Sequence, residues 1–589
     1  MGLASTLPAL RAVDLQVLGG MGTLLRSTAN DISESSRYIV GHAGSTLSPT
    51  GGSGPGTDPL LGAAWIWDLV SLPVGGSGPM SVTAHDLTLD LGGTFAPSGL
   101  WNSDAHAVWH QAGDSAPFVA GGVDAICESV GNTWGFVLQW GVDPHAQFLL
   151  PSFSATTGPV GNPIVRMITS STARDIVPTP SLLGDGLMPV GWEAGSNTGQ
   201  DTEEAINPCL LANTFLTCTN DDRAAGAWLE AWDDDIEVGN PDCCPSPPCP
   251  VGDCKPYDRL DASSPPLDLT WPSGQSSPGR EAYSANIDGE WVGMGWRTDT
   301  VGTQNFCQRR AFFAWPTSAS TWPTPMVSVD LDEASGWAVG PISTEQSRAT
   351  CLSRVSETRA RLIVGGEDIR EPLPRAVIWC GHEYSWARTF LDELTRFDDV
   401  SEFTGQLFSY GLEDNASLCR ISAMHDMNAS GHMVVTLTWS GAATGEPGIG
   451  PVVEFPCVVT LASDFNGDFR VDSRDVSLLS AAWGTTTSTF DLDGDATVGS
   501  GDFAYLLGQY SGADLCDLHS ILPCSTEEGE LLLAEQNSAA EEDADSVLSA
   551  INALGFGNLD TFAAWCTVAD EEAAASAVAT MWALWGGGQ

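Results

Sequence analysis

The pattern of apolar and polar positions between residues 10 and 460 repeats along the chain. In each copy a polar turn leads into an apolar segment that ends near Val-Gly. The copies are Ser36–Gly41, Ser115–Gly121, Asp185–Gly191, Asn286–Gly293, Arg361–Gly365 and Asn428–Val435, whose ends lie 80, 70, 102, 72 and 70 residues apart. The period is therefore close to 70 residues, with one long insertion.

A second phrase neighbours these segments and consists of Ala, an apolar residue and then Trp. It occurs at Ala64–Trp67, Ala107–Trp109, Ala227–Trp232, Ala311–Trp315 and Ala376–Trp379. Alternating apolar and aromatic residues between Gly, Asn, Asp and Pro are typical of half-buried antiparallel strands. Because one repeat cannot bury its own apolar face, neighbouring repeats must stack. We predict a mainly β fold over residues 1–460, a β-propeller of about six repeats, with tandem β-sandwiches as the competing architecture.

The phrase Asp14–Gly20, followed by Ala29–Glu34 and Ala64–Asp68, resembles a bacterial extracellular repeat family named for a His-Ala-Phe triplet. The nearest counterparts of that triplet are His106–Val108 and Ala311–Phe312. The resemblance is spread over about 450 residues. It implies a surface or secreted β-propeller without assigned chemistry.

A Cys/Pro-rich insertion near residues 240–280 occupies the longest interval between repeats. It contains Cys243, Cys244, Cys249 and Cys254, and residues 263–279 are rich in Pro, Ser and Gly. This composition cannot sustain a ladder of strand hydrogen bonds, so we expect a long loop on one propeller face. The cysteines could ligate zinc, but the intervening prolines and the lack of a nearby His favour a disulfide-stapled loop.

Two Asp-rich loops follow the repeats, at Asp464–Asp475 and Asp491–Asp502. A loop of about twelve residues surrounds Ca²⁺ with oxygen ligands from positions 1, 3, 5, 9 and 12 and from the backbone carbonyl at position 7. The predicted ligands are Asp464, Asn466, Asp468, Arg470, Asp472 and Asp475 in the first loop, and Asp491, Asp493, Asp495, Thr497 and Asp502 in the second. Gly499 leaves position 9 of the second loop to a water molecule. Carboxylates this close repel by about 1 kcal/mol per pair in water and about 4 kcal/mol at an effective dielectric constant of 20, so we expect the loops to be loose without metal.

Each loop leads into apolar residues at helical spacing, residues 476–484 and 503–510. This duplicated loop and helix resembles the type I dockerin, a small calcium-folded module that binds cohesin domains on bacterial scaffolds and cell surfaces. The resemblance covers about 50 residues, within 461–515. It implies a Ca²⁺ cofactor and a cohesin-like protein partner.

Some loop positions depart from the dockerin pattern. Position 6 holds Phe469 and Ala496 instead of Gly, so a left-handed backbone there would cost roughly 1–2 kcal/mol. Positions 10 and 11 determine which partner a dockerin binds. Here they hold Ser-Arg in the first loop and Ser-Gly in the second, instead of Ser-Thr. At position 8, Val471 and Val498 are expected to pair across the two loops.

The charge of the chain excludes some partners. The formal net charge is −52, from 75 acidic and 23 basic residues, and Lys255 is the only lysine. Nucleic acid and anionic membrane surfaces are therefore disfavoured as partners. No apolar run reaches about 18 residues, so we expect no membrane insertion.

The cysteine content predicts an oxidising, extracellular or cell-surface location. The chain has 15 cysteines, and local disulfides are expected for Cys209 with Cys218 and for Cys516 with Cys524. The first ten residues have no basic residue and contain Pro8. They lack the pattern of a signal peptide, so either the sequence begins at a processed or shortened start or the extracellular prediction is wrong.

The C-terminal residues 525–589 are predicted to form an acidic, Ala-rich helical segment. Helices are expected over residues 527–554 and 559–585, which end at Gly555 and Gly586. Their apolar residues form either a local core or a face for a partner.

No nucleophile elbow, phosphate loop, zinc-protease helix or dinucleotide fingerprint is present. His106 and His110 would lie about 13 Å apart on a strand, which favours two solvent-edge histidines over a shared metal site. The pairs His382-Glu383 and His425-Asp426 carry no stronger motif.

We therefore predict a secreted or cell-surface, non-catalytic binding or scaffold protein. Its calcium-stabilised module would dock a protein partner while the propeller binds an unknown ligand, and Trp-rich loops suit carbohydrate. The alternative is a polysaccharide-degrading glycoside hydrolase that carries a dockerin, which would need two carboxylates about 5 Å or 6.5–9.5 Å apart.

Overall fold

The computed structural model describes residues 9–14, 25–46, 63–69, 82–87, 100–111, 113–127, 130–142, 147–148, 155–156, 164–178, 187–197, 223–230, 257–259, 280–286, 289–301, 304–316, 326–337, 347–352, 362–369, 374–382, 385–391, 396–397, 419–428, 430–440, 452–461, 463–467, 469, 471, 473–487, 490–492, 496–509, 549, 552–556 and 580. The predicted disulfides, the cysteine cluster and most of the C-terminal helical segment lie outside these residues.

The described chain is mainly β. Its first strands are β1 (Ala9–Asp14), β2 (Leu25–Ile32), β3 (Tyr38–Thr46), β4 (Ala63–Leu69), β5 (Val82–Asp86), β6 (Leu100–Trp109), β7 (Phe118–Cys127), β8 (Val130–Gln139), β9 (Gln147–Phe148), β10 (Ala155–Thr156), β11 (Ile164–Pro178), β12 (Leu187–Asn197) and β13 (Arg223–Glu230). They are followed by β14 (Tyr257–Arg259), β15 (Arg280–Ala285), β16 (Trp291–Val301), β17 (Gln304–Pro316), β18 (Met326–Asp330), β19 (Ser347–Leu352), β20 (Leu362–Asp368), β21 (Arg375–His382), β22 (Ser385–Phe390), β23 (Arg396–Phe397), β24 (Cys419–Met427), β25 (Met433–Ser440) and β26 (Val452–Leu461).

These strands form six sheets, which we number in chain order. Sheets 1 to 5 contain β2–β5, β6–β9, β10–β14, β15–β18 and β19–β22, and sheet 6 has the order β23-β1-β26-β25-β24. Strand β1 pairs antiparallel with β26, so the start of the chain joins the last sheet. We call β2, β6, β11, β15, β19 and β24 the first strands of sheets 1 to 6, and the strands that follow each of them in the chain the second and third strands. Each first strand contacts the first strand of the next sheet, and β24 contacts β2. This cyclic order confirms the predicted mainly β fold and the β-propeller arrangement.

The two sequence phrases occupy defined strands. The Val-Gly phrase lies in β3, β7, β12, β16, β20 and β25, the second strands of the six sheets. Gly41 and Gly121 lie in the middle of their strands, which continue to Thr46 and Cys127, so the predicted strand end at Val-Gly is wrong. The Ala-Trp phrase lies in third strands except at residues 107–109, which belong to the first strand β6.

Every first strand skips one residue opposite the middle of the second strand, and β6, β11 and β24 each skip one further residue. The skipped residue is bulged out of the ladder, and it lies directly after the residue that pairs near the middle of the second strand. We call the six bulged residues the axial ring: Asn30, His106, Arg174, Tyr283, Thr350 and His425.

A glycine that ends the Val-Gly phrase, or directly follows it in sheet 5, makes room for this bulge. In five sheets a Cβ on the second-strand glycine would lie 1.9–2.1 Å from the carbonyl oxygen two residues before the bulged residue. These glycines are Gly41, Gly121, Gly191, Gly293 and Gly366. Sheet 6 has Val435 at this register and a second register shift nearby, between Ile421 and Ala423. The glycine is therefore repeated because the backbones of the first and second strands approach each other too closely for a Cβ atom.

Aspartates that follow bulged residues link neighbouring sheets. Asp31 accepts a hydrogen bond from the Val108 backbone N–H at 2.6 Å, and Asp175 accepts one from Ala285 at 3.1 Å. Asp426 of sheet 6 accepts from the Ile32 N–H of sheet 1 at 3.1 Å, which joins the ends of the cycle. The same register position therefore supports the contact between sheets in three places.

The apolar core lies between adjacent sheets. Tyr38, Ile66 and Phe136 belong to one buried cluster shared by sheets 1 and 2, and Phe313 and Trp379 belong to another shared by sheets 4 and 5. Buried aromatic rings dominate such interfaces because each removes a large apolar area from water.

The described helices are short. They are α1 (Leu331–Ala334), between sheets 4 and 5 in the chain, and α2 (Ser473–Ala481) and α3 (Ser500–Gln509) after the last sheet. Within the described ranges no helix has the length and apolar character needed to cross a bilayer. Strand β14 falls inside the predicted insertion near 240–280 and pairs with β13.

Candidate functional site

The two Asp-rich loops have the same internal hydrogen bonds. At position 1, Asp464 accepts from the Phe469 N–H at 2.8 Å and Asp491 accepts from the Ala496 N–H at 2.9 Å. At position 12, Asp475 accepts from the Phe465 N–H at 2.7 Å, and Asp502 accepts in the same way from Leu492. Each loop is thus closed by its first and last carboxylates, and each leads into a helix, α2 or α3.

Position 6 of both loops has a left-handed backbone. Phe469 has a φ of 62° and Ala496 a φ of 68°, so the left-handed backbone considered for this non-glycine position is present. Gly467 at position 4 also has a positive φ, 76°. The tight turn is therefore formed despite the missing glycine at position 6.

A small apolar core joins the two loop-helix units. Val471 and Val498, both at position 8, are buried in one cluster with apolar residues of α2 and α3. The backbone of Val498 hydrogen-bonds to Gly484 and Thr485, at 2.8 and 2.9 Å, in the segment after α2. The two valines share a core as expected, and the backbone partners of Val498 lie in that segment.

The structure brings the end carboxylates of each loop into buried positions. Asp464, Asp475, Asp491 and Asp502 are at most 8% exposed. Asn466 and Thr497 are partly exposed, whereas Asp468, Arg470, Asp472, Asp493 and Asp495 lie outside the described residues. Within the described part of the chain no group of three or more His, Cys, Asp or Glu side chains could hold a metal. Buried carboxylate oxygens at positions 1 and 12 nevertheless fit a hard cation such as Ca²⁺.

The first loop packs against the propeller. Gly467 lies against the turn between β24 and β25, where an added Cβ would come within 2.4 Å of the Ser430 carbonyl carbon. Gly431 of that turn would place a Cβ 2.8 Å from the Gly467 Cα. Both glycines have positive φ, so neither position tolerates a larger residue easily.

The same turn holds a buried hydrogen-bond network that joins sheets 6 and 1. Asn428 donates to the Ser33 carbonyl and to the Ser36 hydroxyl, both at 2.9 Å. The His432 Nδ1 lies 3.0 Å from the Ser36 hydroxyl, and His432 is fully buried. Burial lowers the pKa of His432 to about 4.

We predict that His432 makes the protein acid-sensitive between about pH 6.5 and pH 4. The unfolded chain binds a proton near pH 6.5, whereas the folded imidazole stays neutral down to about pH 4. The stability is therefore complete above pH 6.5 and falls by up to about 3 kcal/mol as the pH drops to 4. Urea unfolding of the wild type and of His432→Gln across this range should show a shallower pH dependence in the variant; parallel curves would contradict the prediction.

The histidines predicted at solvent edges are buried. His106 is 9% exposed and His110 is 5% exposed, because β6 is a first strand with neighbours on both sides. The His110 Nδ1 lies 2.7 Å from the Ser35 hydroxyl, so it serves a contact between sheets. The Nε2 of His425 lies 2.7 Å from the Thr436 hydroxyl. Glu383, which follows His382, lies outside the described residues.

Sequence reasoning missed the contacts of the axial ring. Arg174 donates through Nη1 to His106 Nδ1 at 3.2 Å, and its guanidinium lies 5.2 Å from the centre of the Tyr283 ring. The guanidinium of Arg348 lies 5.4 Å from the centre of the same Tyr283 ring, and the Tyr283 hydroxyl donates to Glu281 at 2.5 Å. One sequence pattern could have located the bulged residues. It is a polar residue between Ala and a small or acidic residue, as in residues 29–31 and 173–175.

A comparison of the chain with protein-family models and with curated proteins finds no match.

Proposed function

We propose that this chain is a calcium-stabilised, non-catalytic binding protein of the cell surface or the extracellular medium. In this proposal residues 1–460 form a six-bladed propeller that binds a ligand. The paired loops within 461–515 bind Ca²⁺ and dock a cohesin-like protein partner.

The equivalence of the two loops carries the calcium part of the proposal. Both loops use the carboxylate at position 1 to accept from the N–H at position 6, and the carboxylate at position 12 to accept from the N–H at position 2. The first and last carboxylates therefore occupy equivalent places in both loops, and negative charges at this density need a cation.

The cyclic contacts of the sheets support one blade per sequence repeat. Each first strand contacts the first strand of the next sheet, and the N-terminal β1 completes sheet 6. Closure by strands from both ends of the chain stabilises a ring that would otherwise separate at one interface. Binding is proposed in place of catalysis because no catalytic motif occurs in the sequence.

We expect Ca²⁺ to stabilise the full-length protein against thermal unfolding. Calcium at a hundred times its dissociation constant would add about 2.7 kcal/mol per site, because it binds only the folded loops. The measurement is thermal unfolding in chelator and in millimolar calcium, with calorimetric titration for the number of sites. Identical unfolding in both buffers, with no heat of binding, would refute the calcium site.

A gain-of-ligand variant sharpens this test. Gly499 occupies position 9 of the second loop, and an added Cβ would meet nothing closer than the Thr497 carbonyl oxygen at 3.9 Å. Gly499→Asp should therefore tighten calcium binding at this loop by about tenfold, since affinity rises with ligand charge. Thr486→Asp is the matched control, because it adds the same charge at an exposed position outside both loops.

A further inference from the structure

We propose that the axial ring is a binding site for a carboxylate-bearing ligand, which the guanidinium of Arg174 holds. The inference rests on the ligand-binding part of the proposed function and is independent of the calcium loops. It gives the propeller a defined site and a defined ligand chemistry.

A comparison of the six repeats shows which positions around the bulge keep the same residue type and which positions vary. The residue before the bulge is Ala in five sheets, and the opposing second-strand residue is Gly in five sheets. The bulged residue itself differs in most sheets but is polar in every one: Asn, His, Arg, Tyr, Thr and His. A bulge needed only for curvature would accept apolar residues, so polar side chains at all six places indicate a shared polar surface.

Four of the six residues of the axial ring are partly exposed in the middle of buried strands. Ala29, Ala173 and Ala349 are fully buried, whereas the bulged residues directly after them are partly exposed. His425 is also partly exposed, and the bulged residues of sheets 2 and 4 are 9% and 8% exposed. Since the first strands form the inner cycle of sheets, this exposed surface faces the axis of the ring.

Arg174 forms no ion pair with a described carboxylate, although the negative charge of Asp104 acts on it. Its Nη1 donates to His106, its Nε is shielded from solvent without a hydrogen-bond partner, and no described carboxylate lies within ion-pair distance. Burial lowers the pKa of Arg174, although Tyr283 and Asp104 oppose this shift. By contrast, Arg348 forms an ion pair with Glu367 at 2.5 Å. A charged group at this depth needs an anionic partner, which a ligand would supply.

His106 positions the guanidinium. Because arginine only donates hydrogen bonds, the Nδ1 of His106 must accept from Arg174, so the neutral ring carries its proton on Nε2. Burial and the positive charge of Arg174 lower the pKa of His106 well below 6.5, in agreement with a neutral ring. With Nη1 held in this way and Nε shielded from solvent, Nη2 is the nitrogen left to donate to a ligand.

The surrounding charges favour a carboxylate over a phosphate. A carboxylate oxygen accepts a charge-assisted hydrogen bond from a guanidinium and carries a single negative charge. Asp104 and Glu281 lie on the same strands as the ring residues, two positions before them, and would repel a dianion. A free carboxylic acid and a uronic acid sugar share this chemistry.

Calorimetric titration of the full-length protein in calcium buffer tests the site with sodium acetate, sodium glucuronate, glucose and inorganic phosphate as probes. We expect both carboxylates to bind, or glucuronate alone if the sugar ring is also recognised, and glucose not to bind. Arg174→Gln should weaken carboxylate binding at least tenfold, and Arg174→Lys should give an intermediate loss. The matched control Arg37→Gln, at an exposed arginine paired with Asp68, should bind like the wild type.

Three results would overturn the inference: no binding of either carboxylate, tighter binding of phosphate, or unchanged affinity in Arg174→Gln. Thermal unfolding of the same variant separates a structural role from a binding role. Removal of an unpaired charge should leave the melting temperature unchanged or raise it, so a fall would identify Arg174 as structural and also count against the site. Calcium titration of the same samples shows whether the calcium part of the proposed function stands independently.

Discussion

Replacement of Asp332 by alanine should lower the free energy of unfolding by about 3–5 kcal/mol. Asp332, on α1, is 2% exposed and lies 3.1 Å from Arg388 Nε and 3.6 Å from Arg310 Nη1. Its carboxylate also accepts hydrogen bonds from Trp379 at 3.3 Å and from Ser347. The substitution would leave two buried guanidinium groups without this counterion, between sheets 4 and 5.

The matched control for this prediction is Asp68→Ala. Asp68 pairs with Arg37 at 2.9 Å, but that arginine side chain is 51% exposed, so water replaces the lost partner. Its loss should cost no more than about 1 kcal/mol. Urea unfolding of both variants in saturating calcium measures the difference. Equal losses of unfolding free energy in the two variants would show that burial does not determine how much the Asp332 ion pairs stabilise the protein.

The sequence predicted those parts of the fold that are encoded locally. The Val-Gly phrase located the second strand of each sheet, because apolar alternation and a preceding polar turn are properties of neighbouring residues. The same holds for the Asp-rich loops, whose ligand spacing and following helices are contained in two short segments. Position 6 could be assigned a left-handed backbone from that spacing alone, as Phe469 shows.

The remaining features depend on residues distant in the chain. The contact of Gly467 with Ser430, and the acceptance of the Ile32 N–H by Asp426, join segments that no local pattern relates. The axial ring arises from register shifts between paired strands, and register is a property of two strands together. With 75 acidic residues in the chain, the sequence could not single out Asp332 as the carboxylate between two arginines.

Gly121→Ala should destabilise the protein by about 3 kcal/mol or more, the upper range for overpacking. The new methyl group would lie 2.0 Å from the Asp104 carbonyl oxygen and 3.0 Å from the Ala105 Cα. Both are backbone atoms, so no side-chain rotation relieves the overlap, and β6 would have to move away from β7. The bulge that places His106 in the axial ring would move with it.

Two further variants make this prediction specific to the bulge. Gly191→Ala repeats the overlap in sheet 3, at 2.0 Å from the Thr172 carbonyl oxygen, and should be equally destabilising. Gly499→Ala adds the same methyl group where the nearest atom is 3.9 Å away, so it should change stability by less than about 1 kcal/mol. Urea unfolding in saturating calcium compares the three. If all three variants lose the same small amount of unfolding free energy, the glycine is not what allows the first strands to bulge. The repeated Val-Gly phrase would then need another explanation.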